Sequence, residues 1–259
     1  MMTGETCAYE RSSFRLQENG PIRPGGLELT RKAVALSALC PGSLVLDIGC
    51  GTGAALSYMV KSCAFRAVGI DLSRVLLAEG RQKNPALLLA GASGQQLPFA
   101  DATMDAILAE CSLSVMEDVE KVLKECSRVL KRHGLLLVHD VYARNPHVGA
   151  ALRRLPVECC LSGAASRQEW IERLEGRGFE VAVWEDHSSA LKEFAARLIF
   201  SHGSLETFRR ASGSAPNIDG KMGLEAGLAG EQLLEAISSV KPGYFLAVAK
   251  KICAVSCRG

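Results

Sequence analysis

Nine residues, Val45-Leu46-Asp47-Ile48-Gly49-Cys50-Gly51-Thr52-Gly53, combine an apolar run with three alternating glycines. The apolar run predicts a buried strand over residues 43–48. The glycines permit the backbone angles of a sharp turn, after which a helix is predicted from residue 54 onward. At such a turn a ligand can approach both the bare backbone and the amino end of the helix. The stretch therefore predicts a strand–turn–helix unit with a ligand at its turn.

A carboxylate follows the next predicted strand. Asp71 closes the apolar run at residues 67–70 and lies 20 residues beyond Gly51. A carboxylate there accepts hydrogen bonds from the hydroxyls of a ribose. Both a nucleoside-containing methyl donor and a dinucleotide satisfy this pattern, since Gly49-x-Gly51-x-x-Ala54 also fits the dinucleotide fingerprint. Asp47 favours the methyl donor, because its charge beside the turn repels a pyrophosphate and attracts an ammonium.

Short apolar strands alternate with helices along most of the chain. Strands are predicted at residues 43–48, 67–70, 86–90, 104–109, 135–140, 179–184 and 244–250, and helices at 27–39, 54–61, 74–82, 119–130 and 168–177. Continuous apolar strands separated by helices are typical of a parallel sheet covered on both faces. The predicted fold class is therefore α/β, with a Rossmann-like doubly wound sheet.

The composition of the chain argues against several classes of function. Its net charge is +2 and its charged residues are spread along all 259 positions, which argues against nucleic acid as a partner. No apolar run is long enough to span a membrane, and no secretory signal precedes the fold, so a cytoplasmic location is expected. The ten cysteines include no CxxC pair, so no metal site is expected and most thiols are expected to be reduced.

Residues from about 40 to 142 carry the motifs of one family. The matching segments are Asp47 to Gly53, Val68-Gly69-Ile70-Asp71-Leu72-Ser73, Gln96-Leu97-Pro98-Phe99 with Met104-Asp105-Ala106-Ile107, and Arg128-Val129-Leu130-Lys131-Arg132-His133-Gly134. They resemble the D-x-G-x-G-x-G motif, the acidic second motif, the LPF…FD stretch and the RVLKPGG turn of class I S-adenosylmethionine-dependent methyltransferases, especially those acting on small molecules. The resemblance implies a seven-stranded sheet with an antiparallel last strand, S-adenosylmethionine as cofactor and S-adenosylhomocysteine as product.

The resemblance also implies which residues hold the cofactor. Its methionine portion is expected to lie against the turn formed by Asp47, Ile48, Gly49, Cys50, Gly51 and Gly53. The nucleoside contacts are expected from Asp71 to the ribose, from Leu72 to the adenine face, and from Ser93 and Gly94 to the adenine edge. The floor facing the sulfonium is expected from Glu110, Cys111 and Ser112. Many relatives carry Asp at the position of Ser93, so a contact there lacks the assistance of a charge.

Two further segments are expected to complete the site. Residues 1–30 are interpreted as an N-terminal segment that covers the cofactor, with Arg23 near the methionine carboxylate and Gly26 in the same turn. Residues 31–259 are interpreted as the methyltransferase domain. Within it, residues 185–243 interrupt the alternation of strands and helices and predict a helical lid over the sheet.

The methyl acceptor is a small molecule on this interpretation, and its binding residues are harder to predict. The donor is already activated, so the protein mainly aligns the acceptor and, where needed, removes a proton. Candidate catalytic residues at the ligand-binding edge are Asp140, Tyr142, Asp186 and His187, with Arg144, His139 and His147 nearby in sequence. The run Trp184 to His187 is the densest polar cluster beside the expected cleft.

Three alternatives stay open. An arsenite-type methyltransferase is favoured by the abundant cysteines and by the adjacent pair Cys159-Cys160, because soft thiolates bind trivalent arsenic, although the cysteine spacings do not match that group. A nicotinamide-dependent oxidoreductase shares the glycine turn but lacks a recognisable catalytic set. A noncatalytic module on the same fold would use the helical lid as an interaction surface.

Overall fold

The computed structural model describes residues 23–145, 160–201 and 241–252. The strands are β1 Leu44–Ile48, β2 Arg66–Asp71, β3 Leu88–Gly91, β4 Met104–Glu110, β5 Leu130–Ala143, β6 Ala165–Ser166, β7 Phe179–Asp186 and β8 Pro242–Lys251. The helices are α1 Gly26–Ser37, α2 Ala54–Cys63, α3 Arg74–Lys83, α4 Val119–Val129, α5 Arg167–Glu175 and α6 Ser188–Ser201. Two short 3-10 helices are Leu113–Val115 and Cys160–Gly163.

The strands form one sheet in the order β3-β2-β1-β4-β5-β8-β7, and the two-residue β6 pairs with the end of β5. β1 is parallel to both of its neighbours, with Leu46 opposite Val68 on one side and Ile107 on the other. β8 lies between β5 and β7 and runs antiparallel to both. The predicted doubly wound sheet with an antiparallel last strand is confirmed.

Each face of the sheet buries its own apolar layer, because successive strand side chains point in opposite directions. In β1, Leu46 and Ile48 pack on the layer that includes Val122 of α4, whereas Val45 packs on the layer that includes Leu56 of α2. Each fully buried side chain of this kind stabilises the fold by about 1.5–3 kcal/mol. The two layers hold the carboxyl ends of β1 and β4 at a common edge.

Several predicted elements differ in extent from the structure, and two of these differences have a clear cause. The strand predicted at 135–140 extends over Leu130–Ala143. At its start Leu130 pairs with Met104 of β4, and at its end β8 continues to pair with it up to the contact between Ala143 and Pro242. The helix predicted at 168–177 begins at Arg167, where Ser166 and Glu169 form a reciprocal capping box.

The predicted cofactor-covering and lid segments are only partly within the described residues. Of residues 1–30, the structure describes positions from Arg23 onward. Of residues 185–243, it describes the helix α6 that follows β7, whereas 202–240 lie outside the described residues. No helix in the described ranges is both long and apolar enough to cross a membrane.

Candidate cofactor site

The glycine turn after β1 adopts backbone conformations that favour glycine. Gly49, Gly51 and Gly53 have φ angles of 73°, 54° and 79°. At Gly49 a Cβ atom would lie 2.6 Å from the Cβ of Ser112, so the turn also approaches the segment after β4 too closely for a side chain. The backbone amides of Gly49 and Cys50 both donate to the carbonyl of Ile70. The turn is therefore fixed at the edge where the carboxyl ends of β1, β2 and β4 meet.

The side chains of Ile48 and Cys50 point away from this edge. Ile48 is buried in the core, and Cys50 packs over Gly69, where a Cβ atom would lie 2.7 Å from its sulfur. Any contact that these two residues make with a ligand at the turn therefore uses their backbone.

Asp71 connects the glycine turn to the next helix. One carboxylate oxygen accepts from the amide of Gly51 and the other from the amide of Ser73, each at 2.8 Å. Ser73 in turn caps α3 by accepting from the amide of Leu76. A carboxylate oxygen has two acceptor sites, so both oxygens of Asp71 retain capacity for a hydroxyl donor.

An acidic pair lies beside the turn. Asp47 and Glu110, at neighbouring strand ends, are 3% and 7% exposed. Burial, together with the nearby charge of Glu110, raises the pKa of Asp47 to about 8. Burial acts in the same direction on Glu110, but the charge of Arg23 and the contact with His139 outweigh it, so the pKa of Glu110 is lowered.

Arg23 is the cation that stabilises this pair. Its Nη2 atom lies 2.5 Å from Oε2 of Glu110 and donates to the hydroxyl of Thr30 at 2.7 Å. The Thr30 hydroxyl donates to the other oxygen of Glu110 at 2.8 Å. Thr30 lies on the buried face of α1 next to Leu29, so a polar residue within an apolar helical stripe is the sequence signal that marks it.

Five buried side-chain atoms in the described ranges have no hydrogen-bond partner, and all of them surround the end of β4. They are Nε of Arg23, Oγ of Ser112, both ring nitrogens of His139 and the hydroxyl of Tyr244. His139 Nδ1 lies 2.9 Å from Glu110 but is not aligned as a hydrogen bond. Buried polar groups are nearly always paired, so this concentration marks a place where a polar ligand would supply the partners.

The adenine side of the site is more open. Leu72 is 69% exposed, although it directly follows β2. Ser93 accepts from the amide of Gln95 in a turn, and Gly94 lies behind Ile48, where its Cβ would be 3.2 Å away. An exposed apolar side chain beside a turn of this kind offers a face on which a flat ring can pack.

Asp140 does not have the placement expected of an acceptor-binding residue. It is fully buried, and its carboxylate accepts from the amide and hydroxyl of Ser114 at 3.0 and 2.5 Å and from the amide of Val141 at 2.8 Å. Burial raises its pKa to about 6 against these hydrogen bonds. Asp140 therefore positions the 3-10 helix after β4 and, in this conformation, presents no surface to an acceptor.

Tyr142 and Asp186 are brought together at the ends of β5 and β7. The Tyr142 hydroxyl donates to Asp186 at 2.5 Å, and Arg144 contacts the same carboxylate oxygen at 2.9 Å. Burial raises the pKa of Asp186, but its hydrogen bonds dominate and lower it to about 2. The Asp186 carboxylate therefore stays charged and hydrogen-bonded. It is better suited to orient a bound molecule than to accept a proton from it.

His187 belongs to a second small cluster. Its Nε2 lies 2.9 Å from Glu185, whose same oxygen lies 2.6 Å from Nζ of Lys32 on α1. The predicted polar run at 184–187 is thus divided between two clusters, because alternate residues of β7 point to opposite faces of the sheet. His147 lies outside the described residues.

Sequence reasoning missed the contact between Cys111 and Cys160, whose thiols lie within hydrogen-bonding reach. In the sequence Cys160 stands out only through its adjacent Cys159, which lies outside the described residues. Gly26, expected to line the cofactor, begins α1, and its amide donates to the carbonyl of Arg23 at 3.3 Å.

Comparison with known proteins agrees with this geometry. Residues 46–138 match the family model described as a methyltransferase domain. A demethylmenaquinone methyltransferase of Corynebacterium glutamicum is 38% identical over 102 residues, which are 39% of this chain and 43% of the relative. The chain spans about half the length of the curated relatives that it matches.

Solved structures show the same fold. The [4+2]-cyclase SpnF matches with a TM-score of 0.66 and 26% identity, covering 88% of this chain and 81% of that one. Phosphoethanolamine N-methyltransferase 2 of Haemonchus contortus, solved with S-adenosylmethionine, matches with a TM-score of 0.68 and 17% identity, covering 95% and 57%.

A doubly wound sheet with an antiparallel last strand and an acidic glycine turn defines the class I methyltransferase fold. Residues 46–138 thus match a methyltransferase domain within that fold, and the cofactor of such domains is S-adenosylmethionine.

Proposed function

We propose that the chain transfers the methyl group of S-adenosylmethionine to a small-molecule acceptor. The observation that carries this proposal is the buried arrangement of Asp47, Glu110 and Arg23 at the ends of β1 and β4. An amino acid end-group carries one ammonium and one carboxylate. Arg23 is paired with Glu110 and keeps an unused Nε donor for the carboxylate, which leaves Asp47 as the acid that can pair with the ammonium.

Each part of the cofactor has a matching residue. Asp47 is the group that attracts the ammonium, and Arg23 has a donor for the carboxylate. Asp71 retains acceptor capacity for ribose hydroxyls, and exposed Leu72 offers a face for the adenine. When bound, the cofactor supplies an activated methyl group. The protein's remaining work is to align the acceptor with that methyl group and to keep water away.

The acceptor is proposed to be a small molecule because the named methyltransferase relatives act on small molecules. Their names differ in substrate, phosphoethanolamine in one case and demethylmenaquinone in another. The acceptor would lie on the side of Cys111, Tyr142 and Asp186, which are at or just after the carboxyl ends of β4, β5 and β7. We propose Tyr142 and Asp186 as a fixed wall that orients it.

Calorimetric titration with S-adenosylmethionine tests the donor. The expected result is one binding site, weakened by one to two orders of magnitude in Asp71→Ala through the loss of hydrogen bonds to a charged group. Asp101→Ala removes an exposed carboxylate far from the glycine turn and is the matched control. Binding of NAD in place of S-adenosylmethionine would overturn the proposal.

A second candidate function is a non-methylating reaction on the same fold, and the likeness to a [4+2]-cyclase favours it. Labelled S-adenosylmethionine distinguishes the two. Incubation with a small-molecule extract is expected to move label into an organic product. Binding of the cofactor without any transferred label, across extracts, would favour the second candidate.

A further inference from the structure

Cys111 and Cys160 come from distant parts of the chain and meet beside the end of β4. Cys111 follows β4 directly, and Cys160 begins a 3-10 helix. Their thiols lie within hydrogen-bonding reach of each other, and this contact is the largest cause of a raised pKa at Cys111. Both residues are in the reduced state.

The two thiols are held by the packing around them. The 3-10 helices that contain Cys160 and Ser114 lie directly against each other, since a Cβ atom at Gly163 would come within 1.8 Å of the Ser114 carbonyl oxygen. Both cysteines also pack on the same apolar cluster, which includes Leu29. Because the backbone on each side is fixed, the pair is available as a unit without rearrangement.

Tyr244 provides an independent indication that a ligand binds beside Cys111. Its side chain is fully buried, and its hydroxyl has no hydrogen bond of acceptable geometry. The hydroxyl nevertheless approaches Cys111 closely enough to lower the pKa of that thiol. Burial raises the pKa of Tyr244 itself, so the hydroxyl stays protonated and can donate to a ligand bound at the thiols.

We propose that Cys111 and Cys160 form a dithiol binding site for trivalent arsenicals. Arsenic in this state is soft and three-coordinate, so two sulfurs and its own oxygen or carbon substituent complete its coordination. Zinc needs about four protein ligands, and no group of three or more potential ligands occurs among the residues that the structure describes. The buried tyrosine hydroxyl is placed to donate to the remaining oxygen.

The binding step is a condensation and needs no oxidant. Arsenous acid, As(OH)₃, reacts with the two thiols so that two As–S bonds form while two As–O and two S–H bonds break. The released hydroxyls and protons leave as two molecules of water, and arsenic stays trivalent with its lone pair.

This site does not depend on the proposed methyl transfer. It adjoins Glu110 and Ser112, so a bound arsenical would lie on the floor of the cofactor cleft. Because thiol binding and cofactor binding are measured separately, either proposal can fail while the other stands.

Titration of the full chain with phenylarsine oxide, followed by native mass spectrometry, tests the site. One equivalent is expected to bind, and to be released by dithiothreitol but not by 2-mercaptoethanol, because only a dithiol competes with two-sulfur binding. Cys160→Ser and Cys111→Ser are each expected to weaken binding by about 100-fold or more, since one attachment is lost. The matched controls, Cys40→Ser and Cys63→Ser, remove thiols elsewhere and are expected to bind as the unchanged chain does.

A second measurement needs no variant. Sodium arsenite is expected to protect Cys111 and Cys160 of the unchanged chain from N-ethylmaleimide, as mapped by peptide mass spectrometry. Protection of other cysteines instead, or full-strength binding to both serine variants, would overturn the proposal. Binding of zinc in preference to arsenite would also overturn it. Calorimetry with S-adenosylmethionine on the same samples reports the donor site independently.

Discussion

Arg23 and Glu110 form an ion pair of 2.5 Å in which the side chains are only 11% and 3% exposed. Glu110 ends β4, whereas Arg23 precedes α1, so the pair fastens the segment before the first helix to the centre of the sheet. Removing one partner of a buried pair leaves the other charge without compensation, which is far more costly than losing an exposed pair.

Arg23→Ala is therefore expected to lower the free energy of unfolding by about 3–5 kcal/mol and to weaken S-adenosylmethionine binding. Arg31→Ala is the matched control, because Arg31 pairs with Glu28 on the exposed side of α1 and such pairs contribute about 0–1 kcal/mol. Urea denaturation of both variants provides the measurement. Equal effects of the two substitutions would show that Arg23 is not a buried anchor.

Asp47 is expected to make the stability of the ligand-free protein depend on pH in an unusual direction. Its pKa rises from 3.8 to about 8 on folding, mainly through burial. The folded state therefore holds a proton that the unfolded state has lost, and stability is expected to fall as pH rises between these values, by at most about 1.4 kcal/mol per pH unit. Asp47→Asn should flatten this slope, as followed by urea denaturation at several pH values.

Asp105 serves as the control for that experiment. Burial opposes its ionisation, but its hydrogen bond with Lys131 prevails and lowers its pKa. The stability that Asp105 contributes is present above its ordinary pKa and is lost only in acid, as pH falls through the lowered value. Asp105→Asn is thus expected to leave the slope between neutral pH and mild acid unchanged. A flat profile in the unchanged chain would disprove the assignment of Asp47.

The Asp47 carboxylate is also expected to couple cofactor binding to proton release. An ammonium that binds beside Asp47 favours its ionised form, so near neutral pH a proton is expected to leave as S-adenosylmethionine binds. Calorimetry in buffers of different ionisation enthalpy measures this proton directly. In Asp47→Asn the buffer dependence is expected to disappear, and its persistence there would assign the proton to another group.

The sequence predicts well where a residue lies in the fold when a local sequence pattern determines its position. Asp47, Asp71 and the glycines lie at strand ends, and the carboxyl ends of parallel strands meet at one edge whatever the loops do. Arg23 with Glu110 and Cys111 with Cys160 instead depend on how separate loops and helices pack across that edge. Such contacts leave no spacing in the sequence by which they can be recognised.

Asp140 shows why position at a strand end is insufficient. The sequence places it at the ligand-binding edge, yet the 3-10 helix after β4 supplies it with donors from Ser114. Likewise, the carboxyl end of β5 is set by its pairing with β8, which follows a long intervening segment. In both cases a partner that is distant in sequence determines the structure. The local residue type is compatible with the predicted arrangement and with the observed one.

Asp140 and Ser114 are expected to act as one structural unit. Asp140→Ala leaves two buried backbone amides without an acceptor and is expected to cost about 1–3 kcal/mol for each of them. Combined with Ser114→Ala in a double-mutant cycle, the substitutions should show a coupling of about 0.5–3 kcal/mol. Additive effects in urea denaturation would contradict the proposed role of Asp140 in holding the 3-10 helix.

A comparison of substitutions at Gly49 and Gly42 distinguishes the cost of backbone strain from the cost of a steric clash. Both have positive φ angles, of 73° and 87°, but a Cβ at Gly42 would meet nothing within 4 Å, whereas at Gly49 it would lie 2.6 Å from Ser112. Gly42→Ala is therefore expected to cost only the backbone strain, about 1–2 kcal/mol. Gly49→Ala should cost more and abolish S-adenosylmethionine binding, because the turn must shift away from β4. Ser112→Gly added to Gly49→Ala should recover part of the stability, as measured by urea denaturation, and no recovery would place the strain elsewhere in the turn.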